Sequence, residues 1–273
     1  MCPNCRAFIT TDDKVCPYCD MRLGPPAAKR RSSFDNDSFF ASARFTTVVI
    51  LLINAGLYVA TALFSMRMTG GEGGFDVDGQ TLFLFGAKAR DYILAGQWWR
   101  LITAGFLHGG ILHILMNSWV IFDLGATVEE IYGTSRFLVI YFVSTIGGFL
   151  ASMWYSPALS VGASAALFGL IGAMIAAGMR SSTPLASAMR AHYTQWAIWG
   201  LAIGLLPGFR TDNAAHIGGL AAGFVLGYVA GTQPAYERWT EKLWKLSAAF
   251  SVLITVAAFA MMLLFLLAVQ SQM

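Results

Sequence analysis

Apolar residues in this chain come in unbroken runs. They neither alternate along a strand period nor recur on a single helical stripe. From Phe45 onward the runs are about 17 to 25 residues long, the length a helix needs to cross roughly 30 Å of hydrocarbon. They cover residues 45–66, 107–130, 136–156, 163–180, 192–207, 213–232 and 247–269, and predict seven membrane-spanning helices. The second to sixth runs are rich in His, Asn, Ser, Gly and Thr. The seventh is almost uniformly aliphatic, which suits a peripheral helix facing lipid. Between the first two runs lies a long segment, Arg67 to Phe106, with Gly70, Gly71, Gly73 and Gly74 followed by an amphipathic stretch from Thr81 to Trp99. Trp98 and Trp99 suit the headgroup level, so the segment reads as a loop in the outer interface. An extramembrane loop without membrane contact is the competing expectation.

Composition supports the membrane class. Charged residues make up 12% of the 273 and aromatic residues 14%, with mean hydropathy +0.60, whereas soluble domains carry about 25% charge. The net charge is only +3, and no groove-sized basic patch with interleaved aromatics appears, so nucleic acid is not an expected partner. No charged, apolar and cleavable sequence precedes the first run, which is therefore expected to act as its own targeting signal. Lys29, Arg30, Arg31, Arg44, Arg136, Arg180, Arg190, Arg238, Lys242 and Lys245 fall on the amino-terminal side of the membrane, with three more basic residues in the cysteine-bearing segment. Arg67, Lys88, Arg90, Arg100 and Arg210 fall on the other. The excess predicts a cytoplasmic amino terminus and, after seven crossings, an external carboxyl terminus. A bacterial inner membrane fits this topology.

All four cysteines lie near the start, as Cys2, Cys5, Cys16 and Cys19 in a Cys-x2-Cys-x10-Cys-x2-Cys pattern. Four thiolates on two tight turns, pre-shaped by Pro3 and Pro17, are the spacing of a tetrahedral structural Zn2+ site. A disulfide framework would instead be spread through a secreted chain. Redox-active or inert cysteines compete with the zinc assignment. A module this small has too little core to fold alone, so the metal would supply most of its stability. Contact with a cytoplasmic protein partner, or regulation, is its expected role. Residues 23–44, with Gly24, Pro25, Pro26 and several serines, have linker composition.

Polar residues inside hydrocarbon are costly and usually functional, and here they are not scattered. His108, His113 and Asn117 lie in the first turns of the second run, Ser164 in the first turn of the fourth and His216 in the first turn of the sixth. These three even-numbered runs cross in the same direction, so all five residues are predicted at one depth, in the outer half of the membrane. A serine at a helix start is by default an N-cap or a packing residue. A serine hydroxyl is a poor nucleophile without a base, and His216 is the natural base. Gly219, Gly223, Gly227 and Gly231 recur every fourth residue on the face from which His216 projects, and Ser164, Gly169, Gly172 and Ala173 offer a small-residue counterpart. Close packing of these two helices would bring imidazole to hydroxyl; a ridge that only builds a bundle or dimer would not. Asp212 and Asn213 read as the N-cap of the sixth helix, which leaves a Ser–His dyad without an acid, and Phe168 is placed to stack on the imidazole. His113 and Asn117, one turn apart, are both hydrogen-bond donors suited to an oxyanion. His108 would bind water or brace the loop. A metal site of His108, His113 and His216 competes, but no carboxylate accompanies them.

Trp99-Arg100, the run from His108 through His113 to Asn117, Gly162-Ala163-Ser164-Ala165, and Ala215-His216-Ile217-Gly218-Gly219 together resemble the rhomboid intramembrane proteases, over about residues 45–232. The resemblance implies a six-helix core with a Ser164–His216 dyad and an oxyanion site of His113, Asn117 and the Ser164 backbone amide. It also implies hydrolysis of peptide bonds in or near transmembrane segments of other proteins, at small residues in helices that unwind easily, with no catalytic cofactor. The family commonly has Gly after the serine; Ala165 stands here, and its methyl is expected to narrow the site. The expected fold is thus an all-α polytopic membrane protein. A zinc-ribbon-like module with four cysteine ligands occupies residues 1–22 and a linker 23–44. A rhomboid-like six-helix core occupies 45–232, and a linker with the seventh helix 233–273. Two functions from different classes compete with proteolysis: a catalytically silent rhomboid-like protein that binds membrane clients, and a transporter with a histidine pathway. The first has no need of both Ser164 and His216, and the second lacks broken helices and paired carboxylates.

Overall fold

The apolar runs fold as helices, and in the computed structural model the chain divides into two units, Met1–Ser42 and Ala43–Met273. The structure describes residues 2, 4–5, 7–8, 15–21, 45–206, 211–231 and 238–271. The 23–44 linker with its four basic residues, and Arg210, lie outside the described residues.

The larger unit is all-α among its described residues. Among the described residues, five helices are long and apolar enough to cross a membrane: α1 (Phe45–Thr69), the continuous Ile111–Tyr132 helix, α7 (Thr134–Tyr155), α10 (Asn213–Ala230) and Trp239–Gln270 within α11 (Arg238–Gln270). Within the second of these, α5 (Ile111–Val120) joins α6 (Ala126–Tyr132) through a wider π turn, Ile121–Gly125. Three short helices, α2 (Gly79–Leu84), α3 (Arg90–Leu94) and α4 (Arg100–Thr103), fill the connection after α1. Two further helices complete the unit: α8 (Ser164–Met179), apolar but only 16 residues long, and α9 (Pro184–Ile203). The chain is an all-α polytopic membrane protein.

Several boundaries differ from the hydropathy runs, for identifiable reasons. The helix expected over 192–207 begins eight residues earlier, where Thr183 caps Ala186 N at 3.2 Å and Pro184 occupies the first turn. Arg190, His192 and Gln195 depress hydropathy there without interrupting the helix. The last helix likewise starts at Arg238 instead of 247. The second begins at Ile111, after the Gly109-Gly110 pair, so His108 precedes the helix instead of lying in its first turn. Trp99 does not lie at a headgroup surface. It is buried at 3% exposure and meets Phe265 of α11 at 5.7 Å, while Trp98 remains exposed.

The core is the sandwich of α10 between α7 and α8. On one side, a Cβ at Gly219 would overlap the Ala165 carbonyl oxygen, one at Gly223 the Gly169 carbonyl oxygen, and one at Gly227 would lie 2.6 Å from Ala173 Cα. On the other, a Cβ at Gly218 would lie 2.7 Å from the Gly147 carbonyl oxygen. Only glycine lets these backbones touch, and without a hydrophobic drive between helices in lipid this close van der Waals contact is what holds them. Gly231 is not part of the ridge; at φ 61° it ends α10. A single residue, Gly133 at φ 78°, turns the chain from α6 into α7, a conformation that other residues rarely adopt.

The last helix, α11, faces outward along much of its length and is fastened at both ends. Glu241 accepts from Arg136 Nη2 at 2.5 Å near its start, and Phe265 packs on Phe83 and Trp99 near its finish.

The smaller unit repeats one device twice. Cys2 N–H donates to Ala7 O and Cys16 N–H to Met21 O, both at 2.9 Å, so each Cys-x2-Cys pair sits on an equivalent turn.

The ridge makes a direct prediction for thermal melts in detergent. Gly223→Ala should cost about 1–3 kcal/mol through overpacking against backbone. Gly56→Ala, in α1 with no neighbour within 4 Å, should leave stability unchanged or slightly raised.

Candidate active site

Three helices, α5, α8 and α10, start at the same end of the bundle and carry the polar residues there. Ser164 is the first residue of α8 and Ala163 takes the N-cap position, so the serine hydroxyl is not spent on capping. Its backbone N–H belongs to the first turn of a helix, where amides have no intrahelical acceptor. His216 projects from the first turn of α10, 6% exposed. Because the glycine ridge brings α10 onto α8, His216 Nε2 and Ser164 Oγ lie 2.9 Å apart.

The imidazole is oriented by packing. Phe168, one turn beyond Ser164, stacks on it at 4.2 Å with planes 10° apart. Room for the Phe168 ring comes from Gly200 of α9, where a Cβ would stand 2.6 Å from Phe168 Cζ. His216 Nδ1 has no hydrogen-bond partner among the described residues. Asp212 is committed elsewhere, to Ala215 N at 3.0 Å as the cap of α10 and to Ser152 Oγ of α7. Ser164 and His216 thus form a pair with no acidic third member among the described residues.

His113 and Asn117 face the same space from α5. The Gly109 N–H donates to His113 Nδ1 at 3.4 Å, which leaves Nε2 as the protonated nitrogen. That nitrogen points at Gly162, where a Cβ would lie 2.6 Å from it and 3.5 Å from Ser164 Oγ; Gly162 also has φ 129°, a conformation suited to glycine. Asn117 Nδ2 donates to His113 O at 2.8 Å with one of its two hydrogens. His108 is fully buried, its ring edge-on to His113 at 5.1 Å, and both its nitrogens lack a partner among the described residues. It backs His113 and does not join His216, and no three of the described His, Cys, Asp or Glu residues form a metal-binding group here.

The dyad, His113 and Asn117 line a cavity of about 1490 Å3 bounded by α5, α8, α9 and the start of α10. Leu112, Met116, Leu167, Phe168 and Trp196 supply apolar wall, and Ser156, Ser160, Thr211 and Asp212 a polar rim. Ala165 is absent from that lining. Its methyl turns away from the cavity, 1% exposed, to the point where a Cβ on Gly148 of α7 would come within 2.7 Å. The expected narrowing of the site does not occur, because Gly148 accommodates the methyl outside it. The linear pattern did not reveal Gly148, Gly200 or the fully buried Lys88; only unexplained mid-helix glycines hinted at the first two.

In the small unit, the four cysteine sulfurs all lie within 4.8 Å of one another, with Cys2–Cys19 and Cys5–Cys16 at 3.6 Å. That is far beyond a disulfide length of about 2.05 Å. A tetrahedron with Zn–S of about 2.3 Å has S–S edges of about 3.8 Å, so the donor set fits the ion. Backbone N–H groups of Cys5 and Asn4 lower the Cys2 thiol to about 6, as the Met21 N–H lowers that of Cys19. At Cys5 the Ala7 N–H is outweighed by burial and the neighbouring sulfurs, which push the thiol up to about 12.

The same residues lie within a segment shared with known proteins. A family model described as the Rhomboid domain matches residues 95–233. Rhomboid protease GluP of Bacillus subtilis (strain 168) is 37% identical over 161 residues, 59% of this chain and 31% of that protein. RHOMBOID-like protein 6, mitochondrial, of Arabidopsis thaliana is 43% identical over 165 residues, 59% and 53% of the two chains. Rhomboid-like protease 3 of Toxoplasma gondii is 40% identical over 155 residues, 56% and 59%. The matched segment spans less than two-thirds of each relative. It contains every residue of the dyad and the proposed oxyanion set, and a family model that covers half of the sequence places the chain in the rhomboid family.

Proposed function

We propose that this protein is an intramembrane serine endopeptidase that cleaves transmembrane segments of other membrane proteins. The observation that carries the reading is the 2.9 Å Ser164–His216 pair on the wall of a large, partly apolar cavity. Ser164 Oγ attacks the scissile carbonyl carbon as His216 Nε2 takes its proton. The tetrahedral oxyanion accepts hydrogen bonds from the Ser164 backbone N–H, His113 Nε2–H and the second N–H of Asn117. Collapse breaks the C–N bond, with the proton passing from His216 to the leaving amine. Water, activated by the same imidazole, then releases the acyl group from Ser164. Two of the relatives are named proteases, which favours the enzyme over a silent client-binding protein.

The bilayer sets the orientation. The excess of basic residues argues for an amino terminus in the cytoplasm and a carboxyl terminus outside, consistent with a bacterial inner membrane, so that Ser164 opens toward the external face. A helix of 16 residues rises about 24 Å, short of roughly 30 Å of hydrocarbon, so with its inner end near the interface α8 begins below the outer surface. Water reaches a nucleophile at that depth from one side only. The cysteine unit holds a structural Zn2+ through Cys2, Cys5, Cys16 and Cys19, and the metal contributes folding stability and no chemistry to the cleavage.

Purified protein should label with a fluorophosphonate and cleave a model transmembrane substrate, and Ser164→Ala and His216→Ala should abolish both. Labelling that persists in Ser164→Ala, or a wild type that cleaves nothing, would sink the protease reading. Asn117→Ala should reduce kcat by about 10²–10³ with the serine still accessible to the probe. Elemental analysis should return one zinc per chain, lost in Cys16→Ser with cleavage in detergent retained.

A further inference from the structure

Lys88 is the largest unexplained charge in the membrane unit. Its side chain is fully buried, in the connection between α2 and α3. A buried ammonium is costly unless its hydrogens are engaged. Its Nζ donates to Ser156 O at 2.9 Å and Ala158 O at 2.6 Å, two carbonyls of the loop that leads from α7 to Ser164. Its own backbone pairs with the same loop as an isolated antiparallel bridge, Lys88 N to Ser160 O at 2.9 Å and Ser160 N to Lys88 O at 3.3 Å. One residue thus makes four hydrogen bonds to alternate positions of a single loop.

The loop needs such a partner. It is irregular backbone beside the cavity that Ser164 lines, where buried carbonyls without donors are costly. It also ends on the residues that matter: Gly162 N donates to Ala104 O at 2.9 Å, and Gly162 leaves no slack against His113. On its other side Lys88 is held in turn. Arg100 Nη1 donates to the carbonyls of Phe83 and Ala87, at 2.7 and 3.0 Å, and so fixes the backbone immediately before it. Burial pushes the lysine down from its ordinary range, the Asp212 carboxylate works against that shift, and the Arg90 guanidinium adds to it.

We infer that Lys88 is a positioning residue for the nucleophile, a buried clamp that sets the height and tilt of the loop before Ser164. This rests on the reading of Ser164 as the nucleophile. The clamp acts on the reacting serine through backbone alone and touches no substrate.

The test uses the full chain and three variants, with amounts normalised to folded protein. Lys88→Met keeps the stem and removes the donors. It should lower kcat on a transmembrane substrate, and the rate of fluorophosphonate labelling, at least tenfold, while KM changes less than threefold. Lys88→Arg, which can reach the same carbonyls, should recover part of that loss. Glu241→Gln breaks the pair with Arg136 at the opposite end of α7 and should lower the melting temperature with kcat retained. Wild-type kcat per folded molecule in Lys88→Met would overturn the inference while leaving the protease reading intact. A wild type that neither labels nor cleaves overturns that reading, and the clamp with it.

Discussion

Everything at the site depends on two helices touching backbone to backbone. Hydrocarbon outside a bundle is as apolar as the side chains within it, so no hydrophobic gain pulls α8 and α10 together. What remains is dispersion, which falls steeply with distance. Glycines at 219, 223 and 227 remove the side chains that would hold the axes apart. The hydrogen-bonding distance between His216 and Ser164 is a result of that approach, as is the stacking of Phe168 on the imidazole.

The second constraint is that polar groups sunk in the bundle must find one another. The connection after α1 meets it with a relay of cations. Arg100, fully buried between the rings of Phe83 and Trp99, satisfies carbonyls of its own segment, and Lys88 passes the same service to the loop before Ser164. The connection is therefore a structural part of the site, and α11 presses on it from outside through Phe265. At the other end of the bundle the Arg136–Glu241 pair does the corresponding fastening, so the added helix is joined to the core at two depths.

Much of this was legible in the linear pattern because the signals were physical. Polar residues in apolar runs marked the end of the bundle where they gather, and a four-residue glycine period marked the face along which His216 meets Ser164. Helix boundaries were less legible where charge diluted hydropathy: Arg190 sits inside a helix whose start is announced by Thr183 and Pro184, not by apolar content. Gly231 shared the period of the ridge but ends the helix, since spacing alone cannot distinguish a packing glycine from a terminating one. Least legible were long-range compensations. Ala165 looked like an intrusion into the site, and only the fold shows Gly148 of another helix receiving its methyl. Trp99 looked like an interfacial residue, and Lys88 like one charge among those of the outer side, because burial by a distant segment leaves no local trace.

The order of synthesis gives the α10 sandwich a further meaning. Nucleophile and base are 52 residues apart, and α10 is the last helix of the six-helix core to leave the ribosome. Until it arrives, α7 and α8 present bare glycine faces to lipid, and Ser164 has neither its base nor the wall that seats it. Arrival of one helix closes the core and completes the dyad in the same event. On the proposed reading of Ser164 as nucleophile, a chain still lacking α10 has no base to activate it.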